Sequence, residues 1–140
     1  MSTDETNIRF LNPPSLFPPP GFSHVAEVRG GRLVFIAGQV AFDQTGTLVG
    51  AGDFRAQAEQ VFQNLQTALR AVGAEFGQVV KLNIYVRDMG QLRTLAEVRD
   101  RYVDPSRPPA STAVEVSRLA RDGLLLEVEA VAVLPDSPSG

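Results

Sequence analysis

From Leu124 to Leu134 every even position is apolar (Leu124, Leu126, Val128, Ala130, Ala132, Leu134), while Glu127 and Glu129 stand at odd positions. A side-chain period of two predicts a strand with one face in a core and the other presenting carboxylates. Upstream, Pro108-Pro109 stops any preceding helix and leads into small and β-branched residues as far as Val116, a second predicted strand. Arg121-Asp122-Gly123 lies between the two, and Asp-Gly is a hairpin signal, so the strands are expected to pair directly. With Ser111, Ala113 and Glu115 at odd positions of its first strand, this hairpin reads as one wall of a polar cleft.

Val79 to Arg87 alternates again, with Val80, Leu82, Ile84 and Val86 against Lys81, Asn83, Tyr85 and Arg87. The period changes between Phe54 and Val72. Phe54, Ala58, Val61, Phe62, Leu65, Leu69 and Val72 recur at helical spacing, after the N-cap residue Asp53 and before a stop at Gly73. Gln91 to Val103 predicts a second helix. Nearer the N-terminus, Val25 to Val28, Arg32 to Ala37 and Val40 to Phe42 (the last turning into Leu48-Val49) read as an antiparallel meander. Residues 1–20, with Pro13-Pro14 and Pro18-Pro19-Pro20, predict a loosely tethered extended arm. Residues 135–140 predict a frayed tail. The order β-β-β-α-β-α-β-β implies one α+β domain over 21–134, a mixed sheet with two helices on one face. Its polar far face calls for a covering partner.

Composition narrows the function. One domain of 140 residues, with a formal charge of −3 and a pI near 5.1, offers no electrostatic reason to bind nucleic acid. The absence of cysteine and the single His24 rule out thiolate nucleophiles and multi-histidine zinc sites, so no metal ligands are assigned. No apolar run reaches about 18 residues and no basic-then-apolar leader opens the chain, so a soluble, cytoplasmic protein without membrane contact is expected.

Several segments, in order, are similar to the RidA (YjgF, reactive intermediate deaminase A) family from about Gly21 to Val133. They are Ile36-Ala37-Gly38-Gln39, Gln57 with Asn64-Leu65, Val80-Lys81 through Tyr85-Val86-Arg87-Asp88, Pro109-Ala110-Ser111-Thr112 with Val114-Glu115-Val116, Arg118-Leu119, and Leu126 through Ala132. The resemblance implies a chorismate-mutase-like fold and a homotrimer around a central barrel, with three ligand clefts between subunits. It also implies cofactor-independent hydrolysis of small enamines or imines to 2-keto acids and ammonia. Glu127 matches the glutamate that positions the hydrolytic water.

The departures from the family pattern fall in the cleft. Ser111 stands where the family has a carboxylate-binding arginine, Phe22 at an aromatic hydroxyl, Ala37 at a serine and Ala113 at a cysteine. A guanidinium fork makes two charged hydrogen bonds where a serine offers one neutral bond, a difference of about 1.5–3 kcal/mol or more. Substrate choice is therefore expected to be altered, with Ser111, Thr112, Ala113, Phe22 and Ala37 as binding residues. Arg99 is a candidate replacement cation if Leu92, Leu95, Arg99 and Tyr102 form the inward stripe. The stripe Leu92, Leu95, Val98 and Tyr102 is the preferred reading and leaves Arg99 at the rim.

Glu129 and Glu115 read as structural carboxylates paired with basic residues across subunits, and His24 as a hydrogen-bonding spacer near the cleft. No Gly-x-Ser-x-Gly elbow surrounds Ser111-Thr112, and the Gly30-Gly31 and Gly50-Ala51-Gly52 turns fail the phosphate-loop patterns. Two functions compete: an enamine/imine hydrolase, and a trimeric protein that binds a small metabolite in the same cleft without turning it over. RNA cleavage, a label some relatives carry, is disfavoured by the acidic pI and the lack of a basic stripe.

Overall fold

A computed structural model describes residues 7–136. Its elements are β1 (Ile8–Leu11), β2 (Val25–Val28), β3 (Arg32–Gln39), α1 (Phe54–Ala71), β4 (Val79–Val86), α2 (Leu92–Arg99), β5 (Ala110–Glu115) and β6 (Leu126–Leu134). The main sheet runs β3-β6-β4-β5, and β1 and β2 form a separate ribbon. β6 is antiparallel to both its neighbours, whereas β5 runs parallel to β4. This is the α+β mixed sheet expected.

Helix α1 begins where Asp53 accepts a 3.1 Å hydrogen bond from the Ala56 amide, satisfying one otherwise unpaired donor of the first turn. It ends at Gly73, whose φ of 78° turns the chain so that the Ala74 amide reaches back to the Leu69 carbonyl. Ala58, Val61, Phe62, Leu65 and Leu69 are buried against Leu82, Ile84 and Val86 of β4 and the even-numbered residues of β6. A register shift between Val79 and Lys81 turns Val80 to the other face. Fully burying a side chain such as Leu65 or Leu126 is worth about 1.5–3 kcal/mol. Helix α2 is shorter than predicted. A tight turn at Met89–Gln91 precedes it, and beyond Arg99 the chain tightens into i→i+3 bonds ahead of Pro105, which disfavours further helix.

Three expectations need correction. The two C-terminal strands do not form a hairpin, because β4 lies between β5 and β6. Gly123 does turn the chain, with φ 89°, but the stretch 116–125 carries it across to the other edge of β4. There both edges of β4, a strand with no exposed residue, are paired and its backbone groups are satisfied. The meander is also absent. β2 pairs with β1, β3 pairs with β6, and Phe42 and Leu48 share one isolated bridge. The Asp43 carboxylate accepts from the Thr45 and Thr47 amides and the Thr45 hydroxyl, closing a local turn that competes with a strand ladder. Finally, part of the arm is docked. β1 precedes the prolines, and Ile8 packs with Val80 and Val133 on the sheet face away from the helices. Residues 1–6, and 137–140 of the expected frayed tail, lie outside the described residues.

The sheet therefore has two unlike faces. The helices cover one. The β1–β2 ribbon covers part of the other, leaving Leu33 62 % and Phe35 74 % exposed on edge strand β3. No described helix is long and apolar enough to cross a membrane.

Candidate functional site

Strand β5 lies in register with β4 so that Ser111 pairs with Leu82 and Ala113 with Ile84. Leu82 and Ile84 are core residues, so Ser111 and Ala113 face the helices. Between them and α2 lies a cavity of about 460 Å³, within the ~300–1,000 Å³ range of small-molecule pockets. Leu92 and Leu95 of α2 form its opposite wall. Phe22 and Pro20 close it from the arm.

The arm is held there by Ser23, which is buried and bonded twice. Its amide donates to the Pro109 carbonyl at 3.1 Å and its hydroxyl to the Pro108 carbonyl at 2.6 Å. His24 stands edge-on to both Phe17 and Phe22, and its Nε2 lies 2.8 Å from the Phe17 carbonyl. It is a spacer that sets the angle of Phe22.

Arg99 lies inside, not at the rim. Its side chain is only 12 % exposed and lines the cavity alongside Ser111. Both candidate stripes of α2 are used, because Val98 enters the core while Arg99, one residue on, turns to the cavity. Nε donates to Asp100 at 3.0 Å. A Cβ on Gly21 would lie 2.5 Å from Nη2, so only a glycine, here at φ 88°, lets the arm pass this close.

The remaining predicted residues lie elsewhere. Thr112 is on the opposite face, exposed, with its hydroxyl accepting from Lys81 Nζ at 2.8 Å. Ala37 is exposed on β3, on the same side as Phe35 by alternation. Glu127 pairs in register with Tyr85 and faces away from the helices. Its carboxylate occupies the space that a Cβ on Gly38 would need, which gives the glycine of Ala37-Gly38-Gln39 its physical reason. Glu127 accepts no hydrogen bond from any described residue. Glu129 accepts from Asn83 at 3.1 Å and Tyr85 at 2.8 Å, and that bond, reinforced by burial and by both glutamates' charges, pushes the Tyr85 phenol above its ordinary value. Glu115 accepts from the Met89 amide. Within their own chain these two carboxylates accept from neutral donors.

The amides of α1 serve the scaffold. Gln57, fully buried, bonds the Gly50 and Gly123 carbonyls and the Leu125 amide. Asn64 bonds the carbonyls of Val40 and Phe42.

A family profile described as Endoribonuclease L-PSP matches residues 17–134, nearly the whole chain. The chain belongs to the RidA/YjgF family. A RutC family protein of Pyrococcus horikoshii is 39 % identical over 116 residues, covering 82 % of this chain and 90 % of that one. A mouse protein named 2-iminobutanoate/2-iminopropanoate deaminase is 35 % identical over 106 residues, covering 76 % of this chain and 77 % of its own. The crystal structure of YyfB from Yersinia pestis, titled a conserved Rid family protein of unknown function, superposes with a TM-score of 0.83 at 40 % identity. That match covers 91 % of this chain and 99 % of YyfB. The region shared with the RidA/YjgF profile contains the cavity and Glu127 but leaves β1 outside.

Two features have little mark in the sequence. Gly21 is needed by the cation beneath it and Gly38 by the carboxylate above it, and both look like ordinary turn glycines in a single sequence. The burial of Arg99 was foreshadowed by its place one helical turn beyond Leu95, but Val98 fitted the same pattern.

Proposed function

We propose that the chain hydrolyses small imines or enamines derived from amino acids, with substrate choice altered from the family pattern, in a cleft completed by a second copy of itself. One observation carries this reading. Phe22, far in sequence from Ser111 and Ala113, meets them in a single cavity at the positions where the family resemblance places the substrate. The relationship to a protein named as an imine deaminase supports the same chemistry.

Glu127 faces away from the cavity of its own chain, so the acid comes from a neighbouring copy. A closed homotrimer, with Leu33 and Phe35 of β3 covered at the interfaces, meets that requirement. In the reaction, Glu127 takes a proton from water as the oxygen attacks the imine carbon. Glu127 returns that proton to the imine nitrogen, giving a carbinolamine. It then carries the remaining hydroxyl proton to the amino nitrogen as C=O forms and the C–N bond breaks, so that ammonia leaves with a 2-keto acid behind. Hydration and proton transfer are within the reach of one carboxylate, so no cofactor is invoked. 2-Aminoacrylate, which meets only a neutral hydrogen bond at Ser111 and carries no apolar side chain to fill the cavity's walls, is turned over slowly.

A second reading has its own observation. Because Glu127 and the cavity lie on opposite faces, an assembly that leaves them apart would bind a metabolite and not convert it. RNA is not the ligand proposed, given the net charge of −3 and the apolar walls of the cavity.

The deciding assay generates imines in situ from amino acids with an amino-acid oxidase and measures keto-acid release above the spontaneous rate. Acceleration by the wild-type protein, lost by roughly 10²-fold or more in Glu127→Gln, is expected. A wild-type protein no faster than buffer overturns the enzymatic reading in favour of the binding protein.

A further inference from the structure

We propose that Arg99 is the anion-binding residue of the cavity. It holds the carboxylate of a 2-imino or 2-keto acid whose branched or aromatic side chain fills the apolar part. This rests on the reading of the cavity as the substrate site, and names the class of substrate that it takes.

The guanidinium of arginine presents five N–H groups and accepts nothing. Nε is used by Asp100, while Nη1 and Nη2 have no hydrogen-bond partner among the described residues. No fully buried side-chain nitrogen or oxygen among those residues lacks a partner, so these terminal nitrogens reach solvent, and the space they reach is the cavity that Arg99 lines. Asp100 pairs with this almost buried cation at Nε only, so the two outer nitrogens face apolar walls, where a second anion offsets their lost hydration. With Nε engaged, a carboxylate meets Nη1 and Nη2 end-on, in the two-bond geometry that planar anions favour. Gly21, lying against the guanidinium, fixes its position from above, and Ser111 supplies a hydroxyl on the cavity's strand wall.

The rest of the cavity sets the tail. Phe22, Ile84, Leu92, Leu95 and Ala113 offer no polar side-chain atom. A cavity of about 460 Å³ leaves ample room beyond the carboxylate and the reacting carbon, and a methyl group would leave most of it empty or wet. An apolar side chain the size of that of leucine or phenylalanine removes this surface from water and gains affinity with each carbon buried. Arg93, the other cation lining the cavity, is exposed and is the natural control.

The test is calorimetric titration of the full-length protein with 4-methyl-2-oxopentanoate, its neutral amide, and pyruvate. The branched acid is expected to bind roughly ten- to a hundredfold more tightly than its amide, and roughly tenfold or more tightly than pyruvate. In Arg99→Met the acid falls to the level of the amide while the amide is unchanged. Arg99→Lys keeps part of the preference, and Arg93→Gln alters it by no more than about twofold. Equal binding of acid and amide by the wild type overturns the proposal even if Arg99→Met fails to fold. So does no binding of either, an acid preference that survives in Arg99→Met, or one that disappears in Arg93→Gln. Pyruvate binding as tightly as the branched acid overturns the assignment of the apolar tail. Failure of the enzymatic reading looks different: Arg99-dependent acid binding with no imine hydrolysis removes catalysis and leaves this inference standing. Imine hydrolysis with an acid preference indifferent to Arg99 does the reverse.

Discussion

The two faces of the sheet come from the same strands and differ in almost everything else. Towards the helices, β4, β5 and β6 present Leu82, Ile84, Ala113 and Val128, and the nearly buried cation of the cavity, Arg99, is delivered from α2. Away from the helices the same strands present Asn83, Tyr85, Glu127 and Glu129, partly wet, beside the exposed edge residues Leu33 and Phe35. Because successive side chains of a strand alternate in direction, no single chain can turn both Ser111 and Glu127 into one pocket through this sheet. On the proposed function, a cavity on one face and an uncommitted acid on the other require association.

The sharpest way to break this comparison is to charge the open face. Phe35→Glu places a carboxylate on the edge proposed to be covered, and complete loss of assembly and of imine hydrolysis is expected, with the cavity itself intact. Sedimentation showing an unchanged oligomer would mean that β3 is not an interface. Gly38→Ala comes next, since its methyl group collides with the Glu127 carboxylate and displaces it. A displacement on the order of 1 Å can cost about 10²-fold in rate, so turnover should fall by about that factor while acid binding in the cavity persists. Equal loss of both would place Glu127 in the binding site of its own chain.

On the helix-covered side, Gln57→Ala removes three hydrogen bonds and strands buried backbone partners. A loss of about 2–4 kcal/mol is expected by denaturant unfolding, and a loss below about 1 kcal/mol would remove Gln57 from the scaffold.

The smallest effects are two opposed pH edges. The Thr45 hydroxyl, then the Thr47 and Thr45 amides, hold the Asp43 carboxyl below its ordinary 3.8. Its stabilisation is therefore present above 3.8 and lost as pH falls through the folded value. Tyr85 is raised above 10.0, chiefly by its hydrogen bond to Glu129, so its contribution is complete below 10.0 and lost as pH rises through the folded value. Melting temperatures should show the penalty of Asp43→Ala shrinking in acid and that of Tyr85→Phe shrinking in base. The reverse pattern would contradict both assignments.

How much of this was written in the sequence differs by element. Helix α1 was legible because its cap, stripe and glycine stop are all local signals. So was the alternation of β4 and β6, which told which residues are buried. Pairing was not legible. The Asp-Gly turn before Leu124 exists, but the partner of β5 was decided by the two-sided demand of β4, a tertiary effect with no local mark. The arm misled because its prolines drew attention away from Ile8, whose burial depends on Val80 and Val133. For the site, composition excluded more than it identified, and the family resemblance supplied Ser111 and Glu127. Which face each of them occupies follows from strand register, and that was hidden while β5 and β6 were taken as neighbours.

The meeting of helix face and open face across two copies of the chain is tested most directly by mixing inactive variants. Glu127→Gln and Arg99→Met are each purified, shown to be inactive in imine hydrolysis, then unfolded together at equal concentration and refolded. If every site takes its cavity from one copy and its acid from the next, random assortment makes about one site in four fully wild-type. The mixture should then recover about a quarter of wild-type activity, with neither parent gaining any when refolded alone. A mixture that assembles normally but stays as inactive as its parents would mean that cavity and acid act within one chain, and would contradict a site shared between copies.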